Sequence, residues 1–207
     1  MEQIKRPLGR PPQDTKKKPT KTTIVENAIQ LFLQNGYQLV SMDDVAKKCG
    51  VTKATVYYYY PTKADLFTDA MVQMMLRISD RIAEILSTDK SLKENLNDMV
   101  KVHLRATFEI DLKAFTKEAK VSLSDEQLQQ MNSAEEMMYN VIEKAMTTAI
   151  ENEEIPNGNP KFYTQLFLAI LSVGNYRDID QNSIFSTIDE MADHIIDFFW
   201  NGIMGNK

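Results

Sequence analysis

Cysteine occurs once in these 207 residues, at Cys49, histidine only at His103 and His194, and tryptophan once. A single cysteine excludes an internal disulfide framework, and its place within an apolar patch points to a packed thiol rather than a redox switch. There is no His-x-x-x-His and no cysteine pair, so metal chemistry lacks its usual ligand spacing. A Gly-x-Ser-x-Gly elbow and a glycine-rich phosphate loop are absent too, which removes the common routes to nucleophilic and nucleotide chemistry. We therefore expect no enzyme, no metal and no cofactor. No apolar run approaches the roughly 18 residues of a membrane span, and the N-terminus lacks the apolar core of a secretory peptide. Neither membrane insertion nor export is expected, and the cytoplasm is the expected compartment.

What the chain does have is an uneven charge. Residues 1–62 carry ten Lys/Arg against five Asp/Glu, and residues 63–207 carry fourteen against twenty-four. A basic head on an acidic body concentrates attraction for a polyanion at one end. The first 21 residues hold four prolines, one glycine and the cluster Lys16, Lys17, Lys18 and Lys21, with almost nothing to pack. They read as an arm that stays disordered without a partner. Within it Arg6 and Arg10 flank Gly and Pro in an extended stretch similar to the Gly-Arg-Pro core of minor-groove hooks, so Arg10 is a candidate DNA contact. A solvated solubility tail is the alternative.

Between Ser41 and Lys63 two short helices are punctuated by a tight turn. Ser41 with Asp44, and Thr62 with Asp65, have the Ser/Thr-x-x-Asp spacing of a capping box, which starts helices near Met42 and Lys63. Val45, Ala46 and Cys49 form an apolar patch, Gly50 can take the left-handed turn that ends that helix, and Val51 can plug the angle. Thr52 then caps a second helix through about Tyr59, with Val56 and Tyr60 turned back on the patch. Upstream, Ile24, Ala28, Leu31 and Phe32 keep helical spacing up to Asn35-Gly36. This is the layout of a helix-turn-helix, whose last helix enters the major groove. Thr52, Lys53, Ala54 and Thr55, small or polar at that helix start, are the expected base readers, with Lys53 the candidate for guanine.

From Thr22 to Thr68 the chain resembles the N-terminal domain of TetR-type transcriptional regulators. The resemblance rests on Leu31, Phe32, Gly36 and Tyr37, on Ser41 to Ala46, on Gly50 to Lys53, and on Tyr57 to Lys63. It implies an all-α fold with three N-terminal helices that bind operator DNA and about six more that form the dimer and an effector pocket. Tyr59-Tyr60 departs from the His-Phe of many members. Carried onto this sequence, the pattern makes Ser41, Thr52, Thr55, Tyr57, Tyr59 and Lys63 phosphate contacts. Tyr60 is assigned to the core, and Tyr58 is left open. The expected domains are an arm at 1–21, a helix-turn-helix domain at 22–68 and a helical effector-binding and dimerisation domain at 69–207.

Beyond Lys63 the apolar spacing is helical throughout. Phe67, Met71, Met74, Ile78, Ile82 and Ile85 describe a long helix to about Ser87 that joins head to body. Leu92 to Ile110 follows, then a short helix from about Leu112 to Val121, then Leu128 to Ala149, closed by the Pro- and Gly-rich segment at Ile155 to Pro160. Lys161 to Tyr176 is apolar nearly all round. The last helix shows two stripes, one of Ile184, Ile188, Met191, Ile195 and Phe198 and one of Phe185, Ala192, Ile196, Phe199 and Ile203. One stripe facing the core and the other a second copy gives a homodimer through the last two helices.

His103 and Glu135 interrupt apolar stripes in a body rich in methionine. Met74, Ile78, Met99, His103, Thr107 and Met138 are the candidate lining of an effector cavity, for an uncharged or cationic lipophilic molecule. A hydrogen-bonded core histidine and a methionine-filled core are the competing readings. The expected function is a ligand-responsive regulator, a repressor released from a palindromic operator when the effector shifts the long helix. A DNA-binding architectural protein without effector is the alternative.

Overall fold

The computed structural model describes residues 20–107, 119, 121–180 and 182–205. Those residues form eight α-helices and one short 3₁₀ turn, and no strand occurs among them. Three helices build the head: α1 (Thr20–Leu39), α2 (Met42–Cys49) and α3 (Lys53–Tyr59). α4 (Lys63–Leu86) leaves the head and enters the body, where it meets α5 (Leu92–Thr107), α6 (Asp125–Glu151), α7 (Pro160–Leu171) and α8 (Ile188–Met204). None of the described helices is long and apolar enough to cross a membrane.

Local chemistry accounts for most helix ends. α1 kinks at Gly36, whose φ of 78° and ψ of 165° lie outside the helical region that other residues favour. Ser41 and Thr62 each close a capping box with the aspartate three residues on. Ser124 does so with Gln127, and Asn159 caps α7 ahead of Pro160 at its first turn. The expected short helix from Leu112 to Val121 falls largely outside the described residues.

Two expected boundaries shift. The segment read as helical from Lys161 to Tyr176 ends its α-helix at Leu171 and tightens into a 3₁₀ turn over Ser172–Asn175. The last helix starts at Ile188 rather than near Ile184, because Thr187, in extended conformation, accepts the Glu190 N–H and sets the N-terminus there. The apolar run across Ile184 and Phe185 continued the periodicity past the true cap.

Among the described residues, two hydrophobic clusters hold the fold together. In the body, Leu96, Val100, Ile142, Met146, Phe167, Ile196 and Phe199 are among the residues buried together. In the head, Phe32, Tyr37 and Phe67 form a ring trio, with centroids 5.0 Å apart for Phe32–Phe67 and 4.9 Å for Tyr37–Phe67, both edge-to-face. Ala119 and Met131 belong to this head cluster although they lie in the body sequence. α6 therefore does more than fill the body: its first turns close the underside of the head.

The two predicted stripes of α8 do not divide between core and partner. Met191 and Ile195 of the first stripe are buried alongside Ala192, Ile196, Phe199 and Ile203 of the second, whereas Phe198 stays 73 % exposed. α8 meets α5 on one flank and α7 on another, so the chain itself consumes residues of both stripes. The α5 contact carries a charged seam at its edge, with Lys93 to Asp197 at 2.8 Å, Lys101 to Asp193 at 3.2 Å and Arg105 to Asp189 at 3.1 Å. These pairs lie wholly or partly in solvent and are individually weak, and they serve to align the two helices.

Candidate nucleic-acid interface

The turn between α2 and α3 is what presents α3. Gly50 adopts φ 66°, ψ 30°, and its N–H reaches the Lys47 carbonyl at 3.1 Å while the Val51 N–H reaches the Ala46 carbonyl at 3.0 Å. This is a Schellman ending, and only a residue free to take positive φ closes it cheaply. Thr52 is then released in extended conformation to cap α3, accepting the Thr55 N–H at 3.2 Å, with the two hydroxyl oxygens 2.8 Å apart. Val56 and Tyr60 pin the far side of α3 in the head cluster. What remains outward at the start of the helix is Thr52, Lys53 and Ala54, all exposed, with Thr55 half-buried behind them.

Lys53 is not a loose charge. Its ammonium donates to Asp43 Oδ2 at 2.7 Å and lies 5.9 Å from the centre of the Tyr57 ring. The hydrogen bond to Asp43 raises the lysine above its ordinary pKa, so it stays cationic wherever DNA is handled. Asp43 sits in the first turn of α2, and the pair fixes the lysine across the angle between the two helices. Sequence spacing alone, ten residues apart across a turn, did not flag that partner.

Ser41 accepts the Asp44 N–H at 3.2 Å and its own N–H donates to Asp44 Oδ2 at 2.9 Å. The Ser41 hydroxyl, which donates to Asp44 Oδ2 at 2.5 Å, and then the Ser41 N–H hold the Asp44 carboxyl below its usual range. Ser41 is thus exposed at a helix start, where an anion is favoured.

Among the tyrosines the structure sorts by burial. Tyr60 is 4 % exposed and donates to Asp69 Oδ2 at 2.6 Å, and burial together with that bond pushes its phenol well above the ordinary range. Tyr57 is exposed, as a DNA contact requires. Tyr59, also expected on DNA, is half-buried against the head cluster, and it is Tyr58, left open by the sequence, that is 82 % exposed. The helix is only two turns long, so a one-position difference in how it rolls onto the core exchanges these two roles.

Lys63 needs correction. Its ammonium donates to the carbonyls of Tyr37 at 2.9 Å and Gln38 at 3.3 Å and lies 4.3 Å from the Tyr37 ring centre. Burial lowers its pKa. The last carbonyls of α1 have no helical partners, and the lysine meets that need instead of reaching outward to phosphate. Arg10, the expected minor-groove contact, lies outside the described residues.

The proposed effector residues are not gathered in one place. Met74 packs against the head cluster, Met99 is buried in the body cluster with Met138 against it, and Ile78 is exposed. Thr107 donates to the His103 carbonyl at 2.9 Å and to Asn175 Oδ1 at 3.0 Å, a small polar group where α5 meets the 3₁₀ turn. Burial lowers the His103 pKa, which keeps the imidazole neutral near pH 7. Glu135, which interrupts its apolar stripe, accepts the Tyr139 hydroxyl. Among the described residues no group of three or more His, Cys, Asp or Glu could hold a metal ion.

The description of bacterial regulatory proteins of the tetR family matches residues 24–70. The chain is 24 % identical over 143 residues to the fatty acid metabolism regulator protein of Bacillus subtilis (strain 168), a match spanning 69 % of this chain and 74 % of that protein. Among solved structures it is similar to the transcriptional regulator FadR from Bacillus subtilis in complex with stearoyl-CoA, with a TM-score of 0.70, 19 % identity and coverage of 88 % of this chain and 98 % of that one. A regulator from Saccharomonospora viridis in complex with choline superposes with a TM-score of 0.71 at 22 % identity, covering 90 % and 98 %. The helix-turn-helix geometry and these matches agree: residues 24–70 are a DNA-binding domain of the kind found in bacterial regulatory proteins of the tetR family, and the described helices share the fold of the similar structures.

Proposed function

We propose that this protein is a ligand-responsive transcriptional repressor of the cytoplasm, working as a homodimer on a palindromic operator that it leaves when a small lipophilic molecule binds its body. The observation that carries the reading is the exposed start of α3, where Thr52, Lys53 and Ala54 stand beyond a turn locked by Gly50. In the major groove Lys53 reads guanine, with Asp43 holding it until the base edge takes over. Ser41, Thr52, Thr55 and Tyr57 supply hydroxyls for flanking phosphates, and Tyr58 joins them in place of Tyr59. Lys53→Ala relaxes discrimination at one operator position by about 1–3 kcal/mol, read by competition among single-base operator variants. Equal weakening on every variant would reassign Lys53 to the backbone.

We place effector binding where α5 meets the 3₁₀ turn, at His103, Thr107 and Asn175. The stearoyl-CoA and choline held by the similar structures support a long apolar or an amine-bearing effector. α4 transmits the change, because it runs unbroken from head to body and Asp65, in its cap, accepts from Gln127 of α6 at 2.9 Å. A shift of α4 alters the span between two heads, and a coupling of about 1–3 kcal/mol suffices for a switch. The test is a thermal melt with stearoyl-CoA and with choline, paired with footprinting on the upstream region of the protein's own gene. One of the two ligands is expected to raise the melting temperature and clear the footprint, with stabilisation of about 2.7 kcal/mol at a hundredfold excess over Kd, and His103→Ala is expected to remove both effects. Stabilisation that survives His103→Ala puts the effector elsewhere.

A further inference from the structure

Lys53 is paired before any DNA arrives. Its ammonium donates to Asp43 Oδ2 at 2.7 Å, and both side chains stay open to solvent, 55 % exposed for the lysine and 48 % for the aspartate. Asp43 belongs to the first turn of α2 and Lys53 opens α3, so the pair spans the angle that Gly50 fixes between the two helices. The Tyr57 ring centre, one turn further along α3, lies 5.9 Å from the same nitrogen. An exposed pair of this kind adds little to folding stability. Its effect falls instead on what the lysine does next.

Two surfaces of a duplex compete for an ammonium in that position. A phosphate is an anion, and taking it as a partner either brings a second negative charge up to the Asp43 carboxylate or leaves that carboxylate unpaired beside the backbone. A guanine edge is uncharged and offers two acceptors, O6 and N7, in the major groove. An ammonium has three N–H donors, so Lys53 approaches with two free while Asp43 holds the third, and two is the number that guanine accepts. Adenine presents one acceptor beside a donor, and thymine one acceptor beside a methyl group, so each leaves a donor of Lys53 without a partner. The carboxylate thereby turns the lysine away from the backbone and toward one base.

We propose that Asp43 is a specificity-determining positioning residue, which withholds the Lys53 charge from phosphates along any duplex and yields it to a guanine edge. Asp43 acts through Lys53 alone. The inference rests on the DNA-reading function above, and it adds that the charge of Lys53 contributes nothing to binding of unrelated sequence.

The test titrates the full-length protein, over a series of salt concentrations, with a duplex it selects from a random-sequence pool, with single-base variants of that duplex and with a scrambled duplex. Asp43→Asn keeps the shape and removes the charge. It is expected to tighten binding to the scrambled duplex by about two- to fivefold per head and to steepen the salt dependence by about one phosphate contact per head, a slope change of about 0.9, while discrimination at the guanine position falls. In a Lys53→Ala background the same substitution is expected to leave the salt slope unchanged, because Asp43 then has nothing to withhold. Asp43→Glu, which keeps the charge, is expected to behave as the unaltered protein. A salt slope that Asp43→Asn leaves as it was, or steepens equally without Lys53, would overturn the proposal. So would a lowered melting temperature with parallel weakening on every duplex, which marks a structural role. Each of these is read while the unaltered protein still prefers its selected duplex; no preference over the scrambled one would overturn the DNA-reading function, and this proposal with it.

Discussion

Phe67→Ala is expected to unfold the head and abolish operator binding while the body remains helical. Phe67 is fully buried and meets both Phe32 and Tyr37 edge-to-face, so its truncation removes the centre of the ring trio at once. Loss of a buried phenylalanine costs about 3–5 kcal/mol through transfer and the cavity left behind, and a small three-helix head has little reserve against that. Phe67 lies one turn into α4, whose cap also orients Asp65 toward Gln127, so the damage falls where head and body join. Amide hydrogen exchange should show protection lost across α1 to α3 and kept in α6 and α8. Full operator affinity with less than about 1 kcal/mol of destabilisation would mean that the trio is not the keystone of the head.

The second large effect concerns assembly. Phe198 is 73 % exposed on α8 and Phe162 61 % exposed on α7, and Tyr176 and Ile184 in the connecting segment are more than half exposed. Exposed aromatics of this size are the side chains that anchor an interface when a partner covers them. Phe198→Asp is expected to convert the proposed dimer to monomer, because it removes an aromatic anchor and places an unpaired carboxylate in an apolar contact. A palindromic operator then meets one head at a time, and affinity falls by about 10²–10⁴-fold with the loss of tethering. Sedimentation measures the first outcome and operator titration the second. A dimer that persists undiminished in Phe198→Asp would move the interface away from this face of α8.

The positions of the helices were legible in the sequence because caps are local. Ser41 with Asp44, Thr52 with Thr55, Thr62 with Asp65, and Gly50 at the end of α2 each act within four residues, and every one of those caps forms in the structure. The candidate reading surface follows from them, since a turn locked at Gly50 leaves residues 52–54 no burial. Tertiary packing decided what spacing leaves degenerate. Tyr58 and Tyr59 differ by one step on a two-turn helix, and only the roll of α3 onto Val56 and Tyr60 chose which is exposed. Lys63 went to the unpaired carbonyls of α1, twenty-five and more residues earlier, and Lys53 to Asp43 across the turn. Residues of both stripes of α8 were consumed within the chain because α5 and α7 approach from two sides, and Met131 crossed from body sequence into head core. Periodicity records which residues seek burial. Which neighbour buries them, and which polar group answers a stranded carbonyl or carboxylate, depends on elements far apart in sequence that meet only when the whole chain has folded.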